Sequence, residues 1–224
     1  SEGSSIPVPF GVPILGGNTV GMVGGGFYDI NSDQEPINDR DGQLINLTID
    51  YAFNDRWSLK SITSSQSMDR FLRDDLDSTD ANLFGQNNYT EESDSFGQEL
   101  ILNYSADRLD VLGGVMYFEE DLYGEVRVPL TNLCFLLAPA ACGTPVGDFL
   151  NGGNYLQDGD VDIEAWGAYV EANYSISDKW SVIAGLRYNY EERDGTGSFI
   201  FDAISLNVPT NQRESWNDLT PRIT

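Results

Sequence analysis

The feature that most constrains the fold is a long alternation of apolar and polar residues that recurs along the chain. It is clearest from Trp180 to Glu191, where the apolar positions are Trp180, Val182, Ala184, Leu186, Tyr188 and Tyr190. Residues 166–174 and 45–53 repeat it. Successive side chains of a β-strand point to opposite faces, so the pattern predicts strands with one apolar face. These strands exceed the ~5 to 6 residues usual in soluble domains and reach the ~9 to 11 residues that cross a bilayer.

Three short polar turns separate the alternating segments in pairs. They lie near Asp55, Asp107 and Asp178, and each contains one cation and follows an aromatic residue. This arrangement predicts three β-hairpins. Aromatic residues at the strand ends are also what the interfacial girdle of a membrane barrel requires.

The remaining connections are long, polar and acidic, and we expect loops over 69–88, 129–160 and 193–213. Short turns at one rim and long loops at the other are typical of an outer-membrane β-barrel. The predicted fold class is therefore all-β, as an antiparallel transmembrane barrel segment. A soluble antiparallel sandwich, which also alternates, remains the alternative.

Charge and composition narrow the possible functions. The chain has 36 acidic and 12 basic residues, a net charge of −24 and no histidine. A surface of that charge repels phosphate backbones, so we expect no nucleic-acid partner. Without an imidazole base or His-ligated metal we expect neither an enzyme nor a cofactor. The longest apolar run, Leu133 to Cys142, is too short for a membrane-spanning helix.

From Asp41 onward the chain resembles the barrel portion of TonB-dependent outer-membrane receptors. The resemblance depends on the order and spacing of DGQLINLTIDYAFNDRWSLKSITS, SFGQELILNYSADRLDVLGGVMYFEED, IEAWGAYVEANYSISDKWSVIAGLRYNYEER and ESWNDLTPRIT. It implies the outer membrane of a Gram-negative bacterium and energy-coupled uptake of a scarce nutrient, most often a ferric siderophore. The implied partners are outer-membrane lipid, the ferric siderophore or another small nutrient, and the TonB complex, which acts through a plug region that these residues lack.

Such receptors have larger barrels, so the chain is expected to be an internal slice of one. We expect residues 1–40 to be an irregular extracellular-loop segment. Residues 41–224 are expected to form an open curved sheet of about 6–8 long strands with short periplasmic turns and long extracellular loops. One alternative is a small complete barrel with a structural or adhesive role, which requires pairing near Ile45 and Trp216. The other is a soluble sandwich that binds carbohydrate or calcium, with a second sheet on the Trp166 face.

Four arginines are the candidate ligand-binding residues. Arg70, Arg73 and Arg127 lie near the outer ends of predicted strands, where they could attract an anionic ferric chelate. Arg187 lies on a polar strand face, as does Glu171, and both side chains are expected to face the interior of the barrel. An ion pair between these two is the simpler interpretation.

Two further motifs lie in the predicted loops. Cys134 and Cys142 are expected to form a disulfide, because a surface loop is in an oxidising compartment. Asp74, Asp75, Asp77, Asp80 and Asn82 have oxygen ligands at alternating spacings that could hold Ca²⁺. No glycine or bidentate glutamate stands where a calcium loop needs one, so solvated surface charge is preferred and no metal is predicted.

Overall fold

The computed structural model describes residues 13–14, 18–19, 32–76, 84–131, 134 and 139–224. Two short strands, β1 (Pro13–Ile14) and β2 (Asn18–Thr19), pair with each other. The other seven strands form one sheet: β3 (Ile37–Ala52), β4 (Trp57–Asp74), β5 (Asn87–Ala106), β6 (Leu109–Leu130), β7 (Gly153–Ser177), β8 (Trp180–Phe201) and β9 (Leu206–Ile223). The predicted all-β fold is confirmed.

The sheet is an open antiparallel meander in which every strand pairs with its neighbours in the sequence. Ile45 of β3 lies opposite Ser65 of β4, and Trp216 of β9 lies opposite Glu191 of β8. The two edge strands, β3 and β9, do not pair with each other. A small closed barrel is therefore excluded.

Three tight connections form one rim of the sheet, here called the turn rim. They are residues 53–56, 107–108 and 178–179, as the alternation predicts. In the first, the Asn54 side chain accepts hydrogen bonds from the backbone N–H groups of Arg56 and Trp57, at 2.9 and 3.0 Å. These bonds satisfy donors that the turn leaves outside the strand ladder.

The opposite rim, here called the loop rim, corrects the predicted loop lengths. Its connections are residues 75–86, 131–152 and 202–205, so the third predicted long loop, 193–213, is wrong. Strand β8 continues through Phe201, and a 3₁₀ turn (Asp202–Ile204) followed by Ser205 at a φ of 53° leads directly into β9. The prediction failed because alternation disappears where both strand faces are polar, although the backbone ladder continues.

The division at residue 40 stays a prediction. Strand β3 begins at Ile37, four positions before the expected start of the barrel segment. Of the first 31 residues only 13–14 and 18–19 are described.

Burial is concentrated at the loop rim. Among the described residues, the buried side chains are Asn87, Ser93, Val128, Leu130 and Cys134. No second sheet packs on Trp166 or Val170, whose exposed fractions are 43% and 47%, so the described residues do not form a sandwich. One short helix, α1 (Pro145–Leu150), lies in the loop 131–152. No helix in the described ranges has the length and hydropathy needed to cross a membrane.

Candidate functional site

The strand register sorts side chains onto two faces. Leu186 lies opposite Val170 on β7 and Pro221 on β9, and this face is called the outer face. Arg187 lies opposite Tyr169 and Thr220 on the inner face. Directly opposed residues of antiparallel strands share a face, so the register assigns every position in the sheet.

The outer face carries an apolar band between two aromatic girdles. The girdle near the turn rim contains Tyr51, Trp57, Tyr104, Tyr174 and Trp180, and the girdle toward the loop rim contains Phe96, Tyr117, Trp166, Tyr188 and Tyr190. Tyr174 lies eight positions after Trp166 on β7. At ~3.3 Å per residue and a tilt of ~40° this separation spans about 20 Å along a barrel axis, close to the ~25 Å lipid-facing band of such barrels.

Beyond the second girdle the outer face becomes acidic. One row of directly opposed residues is Asp94, Asp121, Asp162 and Asp194, and the row below it contains Glu119, Glu164 and Glu192. The Tyr117 hydroxyl donates to Glu119 at 2.7 Å, toward the acidic rows. Carboxylates at this density require water, so the lipid-facing band ends at the second girdle.

At the height of the apolar band the inner face holds polar pairs. Lys60 pairs with Asp50 at 3.4 Å, and Arg222 pairs with Glu171 at 3.1 Å. The Tyr169 hydroxyl donates to Glu99 at 2.8 Å, and the Tyr169 ring lies over Gly114. An apolar outer face backed by a hydrated polar face is the arrangement of a barrel wall.

The four predicted ligand arginines do not converge. Arg73 and Arg127 lie on the outer face, where Arg73 donates to Asn88 at 3.2 Å and Arg127 pairs with Glu125 at 3.4 Å. Arg70 lies on the inner face and pairs with Glu91 at 2.9 Å.

Arg187 lies on the inner face at the height of the band, and its predicted partner is not the observed one. It donates to Asn189 at 2.8 Å and lies over the Tyr169 ring at 5.9 Å. Glu171 instead pairs with Arg222 of β9. The strand register decides this, because Glu171 lies opposite Gly185 and not Arg187.

The inner face at the loop rim carries an aromatic and apolar surface, here called the rim cluster. Its members, which belong to β5, β6, β7 and β8, are Tyr89, Val126, Val128, Tyr155, Phe199 and Phe201. The Tyr155 and Phe199 rings meet edge to face with centroids 5.2 Å apart. Below the cluster, Gly124, Gly159 and Gly197 lie side by side, and a Cβ on Gly124 would meet no atom within 4 Å. The cluster therefore borders open space on the inner side.

Sequence reasoning missed the rim cluster. Three of its six residues, Tyr155, Phe199 and Phe201, lie in ranges that the sequence pattern predicts as loops. The available signal was a set of β-branched and aromatic residues at even spacing, at 126 and 128 and again at 199 and 201.

The loop 131–152 is held against the rim by specific bonds. Cys134 and Cys142 are joined by a disulfide, with Cα atoms 5.5 Å apart. The Asn151 side chain accepts from the Cys134 N–H at 3.0 Å and donates to its sulfur at 3.1 Å. Thr144 caps α1 by accepting from the Gly147 N–H. Of the calcium candidates, Asp74 and Asp75 are among the described residues, whereas Asp77, Asp80 and Asn82 lie outside them.

Comparisons with known proteins agree with this geometry. The chain is similar to the ferric yersiniabactin uptake receptor FyuA from Yersinia pestis, with a TM-score of 0.66 and 12% identity over 84% of this chain and 26% of that one. It is also similar to the siderophore receptor PiuA from Acinetobacter baumannii, with a TM-score of 0.55 and 12% identity over 87% of this chain and 31% of that one. At these identities the likeness concerns the fold, and the chain spans about a quarter to a third of either receptor.

No curated protein sequence matches the chain. The family described as TonB dependent receptor-like, beta-barrel matches it over residues 5–224. That range includes all seven strands of the sheet and both girdles. The chain therefore belongs to the TonB-dependent receptor β-barrel family.

Proposed function

We propose that the chain forms part of the wall of an outer-membrane receptor of a Gram-negative bacterium that takes up a scarce nutrient with energy from the TonB complex. Uptake is transport without covalent chemistry. The two girdles and the apolar band supply the lipid contact. The hydrated inner face lines the route of the nutrient.

A ferric siderophore is the proposed nutrient. The two similar structures are named for a ferric siderophore uptake receptor and a siderophore receptor. The observation that carries the proposal is the rim cluster, which presents aromatic rings on the inner face at the loop rim. Aromatic rings stack on the aryl or planar groups of a chelate with little loss of side-chain entropy.

The four arginines have unequal parts in this proposal. Arg70 and Arg187 face the inside, where each already has protein partners. Arg73 and Arg127 face outward. We propose that Arg70 contributes charge to the ligand region and that the outward pair does not contact the ligand.

The test is uptake of radioactive iron by cells that carry or lack the gene for this chain, supplied with a panel of ferric siderophores. We expect loss of uptake for one chelate class, and the same loss when TonB is deleted. Unchanged uptake of every chelate together with loss of another nutrient would overturn the siderophore assignment.

A matched pair of variants tests the rim cluster. Tyr155 and Tyr123 are both tyrosines of the loop-rim region that donate to a side chain two positions on, but Tyr155 faces inward and Tyr123 outward. Tyr155→Ala should lower uptake at subsaturating chelate by roughly tenfold, the value of one well-packed aromatic contact. Tyr123→Ala should leave uptake unchanged, and an equal effect of the two would show that the cluster is not the contact surface.

A further inference from the structure

Asn87, the first residue of β5, is a buried amide without partners. It lies at the loop rim, its exposed fraction is 0%, and neither its Oδ1 nor its Nδ2 has a hydrogen-bond partner. The register places Asp74 of β4 directly opposite, and Asp74 Oδ1 is also buried without a hydrogen-bond partner. Buried polar atoms are almost always satisfied by protein, water or an ion, so this pair needs a partner that the described residues do not supply.

Neither arginine of β4 pairs with Asp74. The two arginines of β4 are engaged elsewhere, Arg70 with Glu91 and Arg73 with Asn88 on the outer face. The charge of Asp74 is therefore not matched by either arginine.

Size and charge decide which species fits. Because Asn87 is completely enclosed, an organic chelate does not reach it, whereas a water molecule or a single ion does. A carboxylate oxygen and an amide oxygen are hard donors that suit Ca²⁺, which accepts irregular geometry and completes its shell with water. Mg²⁺ requires near-ideal octahedral geometry and gives up its water reluctantly.

We propose that Asp74 Oδ1 and Asn87 Oδ1 bind a calcium ion between the end of β4 and the start of β5. Water completes the shell from the side of Asp74, which is half-buried, and Asn87 Nδ2 donates to one of those waters. The ion ties together the two ends of the loop 75–86, since these residues are its first and last neighbours in the sheet. Asp74 is one of the calcium candidates of the sequence analysis, whereas Asn87 is not, and the site is independent of the transported nutrient.

Terbium luminescence tests the site directly. Tb³⁺ takes calcium sites, and Tyr89, two positions from Asn87 on the same face of β5, is expected to sensitise its emission. In the full chain folded into detergent micelles we expect tyrosine-excited emission that Ca²⁺ displaces and an equal concentration of Mg²⁺ does not. Absence of Ca²⁺-displaceable emission would overturn the proposal, and stronger displacement by Mg²⁺ would overturn the assignment to calcium.

Substitutions locate the ion. Asp74→Asn and Asn87→Leu should each weaken the apparent affinity for Tb³⁺ by roughly tenfold or more, as loss of groups at a metal site does. Asp121→Asn removes one charge from the outer acidic rows and should leave that affinity unchanged. A loss as large in Asp121→Asn would mean diffuse attraction to a negative surface, and the proposal would be wrong.

Asn87→Asp is the control for loss of binding caused by misfolding. It keeps the side-chain size and adds a charged oxygen, so it should bind Tb³⁺ and Ca²⁺ more tightly than the parent chain. Heat-modifiable gel mobility shows whether each variant folds. A folded Asn87→Asp chain with unchanged or weaker affinity would contradict the site.

Discussion

The apolar band and the loop rim are built on the same strands but are stabilised differently. On the outer face of the band, large side chains such as Val115 and Val170 are 53% and 47% exposed. At the loop rim, Val128 and Leu130 are only 7% exposed, and Cys134 is fully buried. In the band the backbone is satisfied by the hydrogen-bond ladder and the outer side chains depend on lipid to cover them, whereas the side chains of the rim pack against other parts of the chain. The effect of a substitution in the band on stability therefore depends on how the new side chain is solvated by lipid. The effect of one at the rim depends on the packing contacts that it removes.

The largest effect that separates the two regions is expected from Leu186→Arg. Leu186 lies near the middle of the outer band, where an arginine costs ~2 to 4 kcal/mol. Asn189→Arg is the matched control on the same strand, because Asn189 faces inward with Asp218 directly opposite. Folding yield into lipid vesicles should fall for Leu186→Arg alone, and equal yields would contradict the assignment of faces.

Removing the disulfide should act on the rim and spare the band. Replacing Cys134 and Cys142 by serine frees a loop whose closure stabilises it by ~2 to 3 kcal/mol on a chain-entropy basis. Thermolysin should then cut within 131–152 much faster, with unchanged heat-modifiable mobility of the strands. Mass spectrometry of the unreduced, alkylated parent chain is the prior control. If both thiols are alkylated, the loop is not bridged.

Two inner-face glycines of β6 extend the comparison inside the barrel. A Cβ on Gly114 would lie 2.5 Å from the Tyr169 ring, whereas a Cβ on Gly124 at the rim meets nothing. Gly114→Ala should displace the ring, break its hydrogen bond to Glu99 and lower stability by ~1 to 3 kcal/mol. Gly124→Ala should stay within ~0.5 kcal/mol of the parent in urea unfolding from micelles. Equal losses would mean that the inner face is as closely packed at the rim as at the band.

The smallest expected effect is a pH dependence confined to the rim. Hydrogen bonds from the Asn154 side chain and backbone hold the pKa of Asp202 below its usual range. A lowered pKa in the folded state adds stability that is present above the ordinary aspartate pKa and is lost as the pH falls through the folded value. Amide exchange at Asn154, corrected for intrinsic rates, should speed up on acidification, while amides of the band should not change.

Asp202→Asn is the control for that measurement. It removes the titrating charge, so exchange at Asn154 should be faster than in the parent at neutral pH and should lose its dependence on acid. A variant that retains the acid response would assign the response to another group.

The amino-acid order alone predicted much of the band. Alternation from Trp180 to Tyr190 predicts the faces that the register shows, with Leu186 on the outer face and Asn189 on the inner face. Three Asp-containing turns located the turn rim. Neighbouring residues of a strand face lipid and water in turn, so their side chains alternate between apolar and polar. The period of two residues can therefore be read from the sequence.

The loop rim was decided by the tertiary structure. Beyond the second girdle water lies on both faces, so side-chain polarity no longer distinguishes a strand from a loop. Strand β8 therefore continues through residues 193–201, which the sequence pattern predicts as a loop. The register then paired Glu171 with Arg222 and left Arg187 to Asn189, which no local pattern specifies. It also gathered Tyr155 and Phe199, 44 positions apart, into one surface and set Asp74 opposite Asn87. Such pairs depend on where each strand begins relative to its neighbour, a quantity fixed by the whole sheet.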